Sequence, residues 1–199
     1  MKKNKTAKLR KPEILAHYYQ VIVEEGFEGA SIGKVAKRMK IHPSLIIHYF
    51  KTKANMTLEL IDLIVEKYEA PAFFELGHIQ DHAERFEAMI DTIFSLDWSR
   101  TLDPGLHFGF YYLSFRNPKI RRRYEEMIGR FRDYLANELA FYRSKGIVAV
   151  NDVKAAADHI VVLMEGLEFH AQFLSENKPF EHFAQQSKKL ALGLLKGAC

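Results

Sequence analysis

Cysteine is almost absent from this sequence: Cys199 is the only one in 199 residues. No intrachain disulfide can form, so nothing ties the chain to an oxidising compartment. No apolar run reaches the roughly 20 residues that a helix needs to span a bilayer. The basic N-terminus leads into no apolar stretch of the kind a secretion signal carries. The expected location is therefore cytoplasmic, with no membrane partner. Internal repeats, low-complexity tracts and convincing strands are missing as well. So are the usual frames of catalysis: there is no phosphate loop, no nucleophile elbow and no carboxylate pair in a convincing setting. No enzyme and no cofactor is expected.

What is there is unevenly distributed. Residues 1–53 hold 12 of the 29 lysines and arginines but only four of the 25 acids, a net +8. The remainder is net −4. A basic head on a mildly acidic body points to nucleic-acid binding confined to the head. Residues 1–11 contain six cations and almost nothing apolar, and read as a basic arm, either contacting DNA or simply solvated.

Beyond the arm the apolar spacing is helical. Leu15, Tyr18, Tyr19, Ile22 and Val23 make one face of a first helix that opens near Pro12 and ends at Gly26. Ser31 is a good N-cap for a short second helix with Ile32, Val35, Ala36 and Met39 inward. Pro43 opens a third helix about three residues later. Thr52 caps a fourth, which stops before Pro71. Further helices are expected near 82–96, 104–115, 118–145, 151–176 (capped by Asn151) and 179–196. The fold class is all-α, about nine helices. It divides into the arm (1–11), a helix-turn-helix head (12–53) and a helical body (54–199).

The segment Gly26 to Lys53 carries the function. Its Gly26-Phe27, Ser31, Val35-Ala36, Tyr49-Phe50 and Lys53 fall at the spacing of the N-terminal domain of the TetR family of repressors, which the chain closely resembles. Two positions depart from that pattern. Met39-Lys40 stands where the family has Ala-Gly, which predicts a strained or altered turn. Ile47 stands where many members have a tyrosine that touches phosphate.

The resemblance implies that a double-stranded operator is read in the major groove by the third helix. His42, Pro43, Ser44 and Leu45 would face base edges. Ser31, Lys34, Arg38, His48, Tyr49 and Lys53 would approach phosphates. Leu45-Ile46-Ile47-His48-Tyr49-Phe50, the aromatic run Phe108 to Tyr112 ahead of Ser114 and Asn117-Pro118, and Leu163-Met164-Glu165-Gly166-Leu167 resemble one subgroup, the choline-responsive repressors of betaine synthesis. That likeness does not transfer the ligand.

The resemblance also implies a homodimer and a small-molecule effector. Ile160, Leu163, Leu167, Phe173, Phe183, Leu190 and Leu194 supply apolar faces on the last two helices for a two-fold interface. Phe94, Trp98, His107, Phe108, Tyr111, Tyr112, Phe131, Tyr134, Met164 and Phe169 are candidates for a pocket. Glu165, or Glu168 beside it, is a candidate counter-charge for an organic cation. The same aromatics at helical spacing could equally be bundle core. His78 and His82 stand four residues apart with Asp81 between them, but the segment lies at a loop-to-helix boundary with no obvious further ligand and reads as surface, so no metal is expected. Arg121-Arg122-Arg123 reads as an exposed face paired with Glu125 and Glu126. The competing readings are a helical enzyme or carrier of small molecules with a non-functional head, and a structural partner-binding protein.

Overall fold

The computed structural model describes residues 2–68 and 76–197. Among them are ten α-helices and no strand: α1 (Lys2–Gly29), α2 (Ile32–Met39), α3 (Pro43–Phe50), α4 (Lys53–Tyr68), α5 (His82–Ile93), α6 (Leu96–Ser99), α7 (Pro104–Ser114), α8 (Pro118–Ser144), α9 (Val153–Phe173) and α10 (Phe180–Leu195). The all-α expectation stands. The stop expected before Pro71 lies outside the described residues.

Contacts gather the chain into two compact units, Met1–Ala70 with Asp103–Glu125, and Pro71–Leu102 with Glu126–Cys199. The first unit thus takes in α4, α7 and the start of α8 besides the residues expected for the head. Its core is Ile14, Leu15, Tyr18, Val21 and Ile22 of α1, with Val35, Ala36, Ile46, Phe50, Met56, Leu60, Leu106 and Phe110. The Tyr18 hydroxyl sits 2.8 Å from Thr57 Oγ1, and that hydroxyl in turn donates to the Lys53 carbonyl. Thr57 has one proton to give, so Tyr18 is the donor of the pair. Burial pushes the Tyr18 phenol above its ordinary pKa, with the Thr57 bond acting the other way.

Two expectations for α1 are corrected. The helix opens at Lys2, with Pro12 inside it, so residues 2–11 are helical rather than an irregular arm. Lysine, alanine, leucine and arginine are good helix formers, and that preference extends the helix backwards past the proline. Val23 is exposed, and Val21 takes the inner position instead. Gly26 breaks the helix at φ 72°, ψ 170°, a conformation that a side chain would resist.

The head helices are punctuated as expected at three places. Ser31 Oγ accepts from the Lys34 N–H at 3.3 Å, Pro43 opens α3, and Thr52 Oγ1 accepts from the Asn55 N–H at 3.1 Å. Lys40 closes α2 in left-handed backbone, φ 55° and ψ 41°. The turn therefore keeps the geometry that glycine would favour, at the cost of holding a Cβ there. Lys40→Gly is expected to raise stability by about 0.5–1 kcal/mol, the relieved strain exceeding the added freedom of the unfolded chain. Chemical denaturation would show it as a higher midpoint at an unchanged slope.

In the second unit, α5, α8, α9 and α10 enclose one core. It contains Phe86, Met89, Ile90, Ile93 and Phe94, Leu135, Leu139 and Tyr142, Ala156, Ala157, Ile160, Met164 and Leu167, and Ala184, Ala191 and Leu195. The helix expected over 82–96 stops at Ile93, because Ser95 begins a separate turn, α6, by accepting the Trp98 N–H at 3.0 Å. The cap of α9 is Asp152 rather than Asn151. Its carboxylate accepts from Lys154 and Ala155, and Asn151 instead offers its carbonyl to Arg143.

Candidate nucleic-acid interface

The α2–α3 joint sets up the head. Lys40 folds the chain back, and the His42 Nδ1 caps α3 by accepting the Ser44 N–H at 3.3 Å. His42 Nδ1 also lies 2.7 Å from Ser44 Oγ, so the two side chains hold each other at the start of the helix. Both are exposed; Pro43 and Leu45 are half-buried. Ile46 and Phe50 anchor the inner face of α3, while Ile47 and His48 look outward. All four residues expected to face bases thus occupy the first turn of one short helix, clamped from beneath.

The residues expected at phosphates lie on three elements: Ser31, Lys34 and Arg38 at α2, His48 and Tyr49 on α3, and Lys53 at the start of α4. His48 and Tyr49 form an edge-on ring pair at 5.5 Å. Lys53 Nζ bonds the Phe27 carbonyl. Lys34 pairs with Glu25, and Arg38 with Glu24 at 2.6 Å. Sequence reasoning missed these α1 partners, because Glu24 and Glu25 meet Arg38 and Lys34 only through the fold. Two of the cations proposed for phosphates are therefore already engaged by carboxylates in the DNA-free protein. Glu24→Gln with Glu25→Gln is expected to tighten binding to any duplex by about fivefold, since exposed pairs of this kind are each worth under about 1 kcal/mol. Anisotropy titrations on matched and scrambled duplexes would measure it.

The residues expected to form a pocket divide between the two units. In the second unit, Trp98 stacks on Phe131 at 5.5 Å and 23°, and its indole N–H points at Met164 Sδ, 3.1 Å away. Phe94 is buried; Tyr134 and Glu165 are half-buried. Burial, then the neighbouring Glu138, drives the Tyr134 phenol well above its ordinary pKa. In the first unit, His107 lies against Phe108 at 5.1 Å and Tyr124 at 6.5 Å, and Tyr111 packs on Tyr124 at 6.1 Å and Phe115 at 5.2 Å. Tyr112 carries Arg116 over its ring. Phe169 belongs with neither group: it is exposed, against Phe173 at 5.0 Å.

Of the residues expected at a dimer interface, Ile160 and Leu167 are buried in their own chain's core, where α9 packs on α10. They are corrected to core positions. Leu163, Phe183 and Leu194 are half-buried, and Phe173 and Leu190 are exposed. The bare apolar face of α9 is Val162, Phe169 and Phe173, with Gly166 between them. These follow one another at helical steps that leave a single stripe. Among the described residues no group of three His, Cys, Asp or Glu could hold a metal, and no helix is long and apolar enough to cross a membrane.

Residues 14–60 match the family model for bacterial regulatory proteins, tetR family, and residues 81–197 match that for the tetracyclin repressor-like C-terminal domain. The chain belongs to the TetR family of transcriptional regulators. A relative, the HTH-type transcriptional regulator BetI of Vibrio vulnificus (strain YJ016), is 23% identical over 162 residues, covering 80% of this chain and 79% of the relative. Among solved structures, a putative transcriptional regulator from Saccharomonospora viridis in complex with choline superimposes with TM-score 0.80. It has 20% identity and covers 92% of this chain and 95% of the other. A TetR transcription regulator from Haloarcula marismortui gives 0.78, at 14% identity over 96% and 98% of the two chains. The first model spans the joint from Ser31 to Lys53, and the second spans α5 to α10.

Proposed function

We propose that this TetR-family regulator is a repressor that binds a palindromic operator as a homodimer and lets go when a small organic cation binds. The observation that carries the reading is the first turn of α3. His42 and Ser44 are exposed and hold each other there, at the tip of a buttressed helix, within a quarter of the chain that is net +8. In this reading His42, Pro43, Ser44 and Leu45 touch base edges. Ser31, Lys34, Arg38, His48, Tyr49 and Lys53 touch the backbone. Residues 12–53 form the DNA-binding portion, residues 54–199 serve dimerisation and sensing, and the protein works in the cytoplasm, where its operator is.

One head reads too few base pairs for useful specificity, whereas two heads roughly 34–36 Å apart read two half-sites. The α9 stripe Val162, Phe169 and Phe173, with Leu163, Phe183, Leu190 and Leu194, is the proposed two-fold surface. The effector is proposed to meet Trp98, Phe131 and Met164, with Glu165 as counter-charge, an arrangement suited to a quaternary ammonium group. The choline held by the Saccharomonospora neighbour supports that ligand class. Such a ligand shifts the heads away from operator spacing by no more than its differential affinity for the two states.

The test is an anisotropy titration against fragments of the gene's own upstream region, at two salt concentrations, with and without choline. One fragment should bind far better than the others, lose affinity as salt rises, and be released by choline. Equal binding to all fragments would overturn the reading of α3; specific binding that no quaternary amine reverses would overturn the effector.

A further inference from the structure

The opening turns of α1 carry more charge than the reading of α3 uses. Between residues 2 and 11 the sequence has Lys2, Lys3, Lys5, Lys8, Arg10 and Lys11 and no acid. The backbone through them is helical, so ten residues make a rod of about 15 Å. Like charges crowded on one helix repel each other, and a rod of this composition gains most from a polyanion lying beside it. Lys2, Lys5, Lys8 and Lys11 follow one another at three-residue steps.

The inner end of this series is anchored at a telling place. Lys11 Nζ lies 2.7 Å from each carboxylate oxygen of Glu59 and 5.3 Å from the centre of the Phe50 ring. Phe50 is the last residue of α3, and Glu59 is in the second turn of α4. The inner end of the rod is therefore fixed beside Phe50 at the end of α3 and Glu59 of α4. Pro12 supplies no N–H, so the Lys8 carbonyl lacks its helical donor and the rod is joined to the rest of α1 by one bond fewer.

We infer that Lys2–Lys11 is a second DNA-binding element, a helical rod that lays cations along the phosphates flanking the site read by α3. The inference rests on α3 being the reading helix. The rod contributes affinity without sequence preference, because phosphates carry no base information.

The test uses the full-length protein with Lys2→Gln, Lys5→Gln and Lys8→Gln together, glutamine keeping the helix propensity. A second triple variant, Lys145→Gln, Lys154→Gln and Lys178→Gln, removes the same charge from the other compact unit. Binding is measured on the preferred fragment and on a random duplex across a salt series. The rod variant should lose roughly tenfold or more on both duplexes at 0.1 M salt. Its plot of log K against log salt should flatten by about 0.9 for each contact removed. The second variant should keep the parental slope. An unchanged slope in the rod variant, a loss confined to the preferred fragment, or an equal loss in both variants would each overturn the inference. If the parent prefers no fragment, the reading of α3 fails on its own, and the slope on random duplex still decides the role of the rod.

Discussion

A protein carrying Phe169→Glu and Phe173→Glu is expected to sediment as a monomer and to bind its operator at least about a hundredfold more weakly. A two-fold interface uses the same patch on both partners, so each substitution enters it twice. Four carboxylates would then be desolvated without partners, and each costs several kcal/mol. Losing the proposed dimer would also remove the advantage of tethered heads, worth about 10²–10⁴ in effective affinity. The fold itself should be untouched: the two side chains are 52% and 61% exposed, with their rings 5.0 Å apart. Sedimentation at micromolar concentration and a helical circular-dichroism melt separate the two effects. A variant that stays dimeric and binds as the parent does would remove the α9 stripe from the interface.

The head was more legible in the sequence than the body, for physical reasons. Ser31, Pro43 and Thr52 act within three or four residues, so composition alone locates them. The inner residues Val35 and Ala36 lie in a short helix with a clear polar face, whereas on α3 the pair Ile46 and Ile47 divides into one buried and one exposed residue that type alone does not separate. On α9 the case is different. Apolar residues surround that helix, so periodicity cannot tell the side that meets α10 from the side left bare. Helical spacing therefore groups Ile160 and Leu167 with the outward face and leaves Val162 out of it, whereas in the fold the first two are buried and Val162 is exposed. The ion pairs of Glu24 and Glu25 join residues nine to fourteen positions apart on different helices, and no local rule reaches them. Asn151 and Asp152 are equally good caps by type, so residue type alone does not choose between them; in the fold Asp152 Oδ1 accepts from both the Lys154 and the Ala155 N–H. The aromatic residues expected at a pocket share a composition, which carries no information on which compact unit each one joins.

Gly109 is where a small change should have a large consequence. A Cβ built on it would stand 2.4 Å from Phe27 Cε2 and 2.6 Å from Cδ2, closer than real contacts come. The Phe27 ring lies on α7 at that bare position, 5.2 Å from the Phe110 ring. It follows directly on the turn at Gly26, where φ is 72°. The carbonyl of the same Phe27 accepts the Lys53 ammonium. One residue thus joins α7 to a cation proposed for a phosphate, wholly within the first compact unit. Gly109→Val is expected to lower stability by about 1–3 kcal/mol through overpacking, and to weaken binding to matched and random duplexes alike by displacing Lys53. Phe27→Leu should cost stability alone, yet restore part of it when combined with Gly109→Val. A double-mutant cycle should give a coupling of about 1 kcal/mol or more for residues in such contact. Additive losses would mean that α7 and Phe27 yield independently, and the path from α7 to Lys53 would not exist.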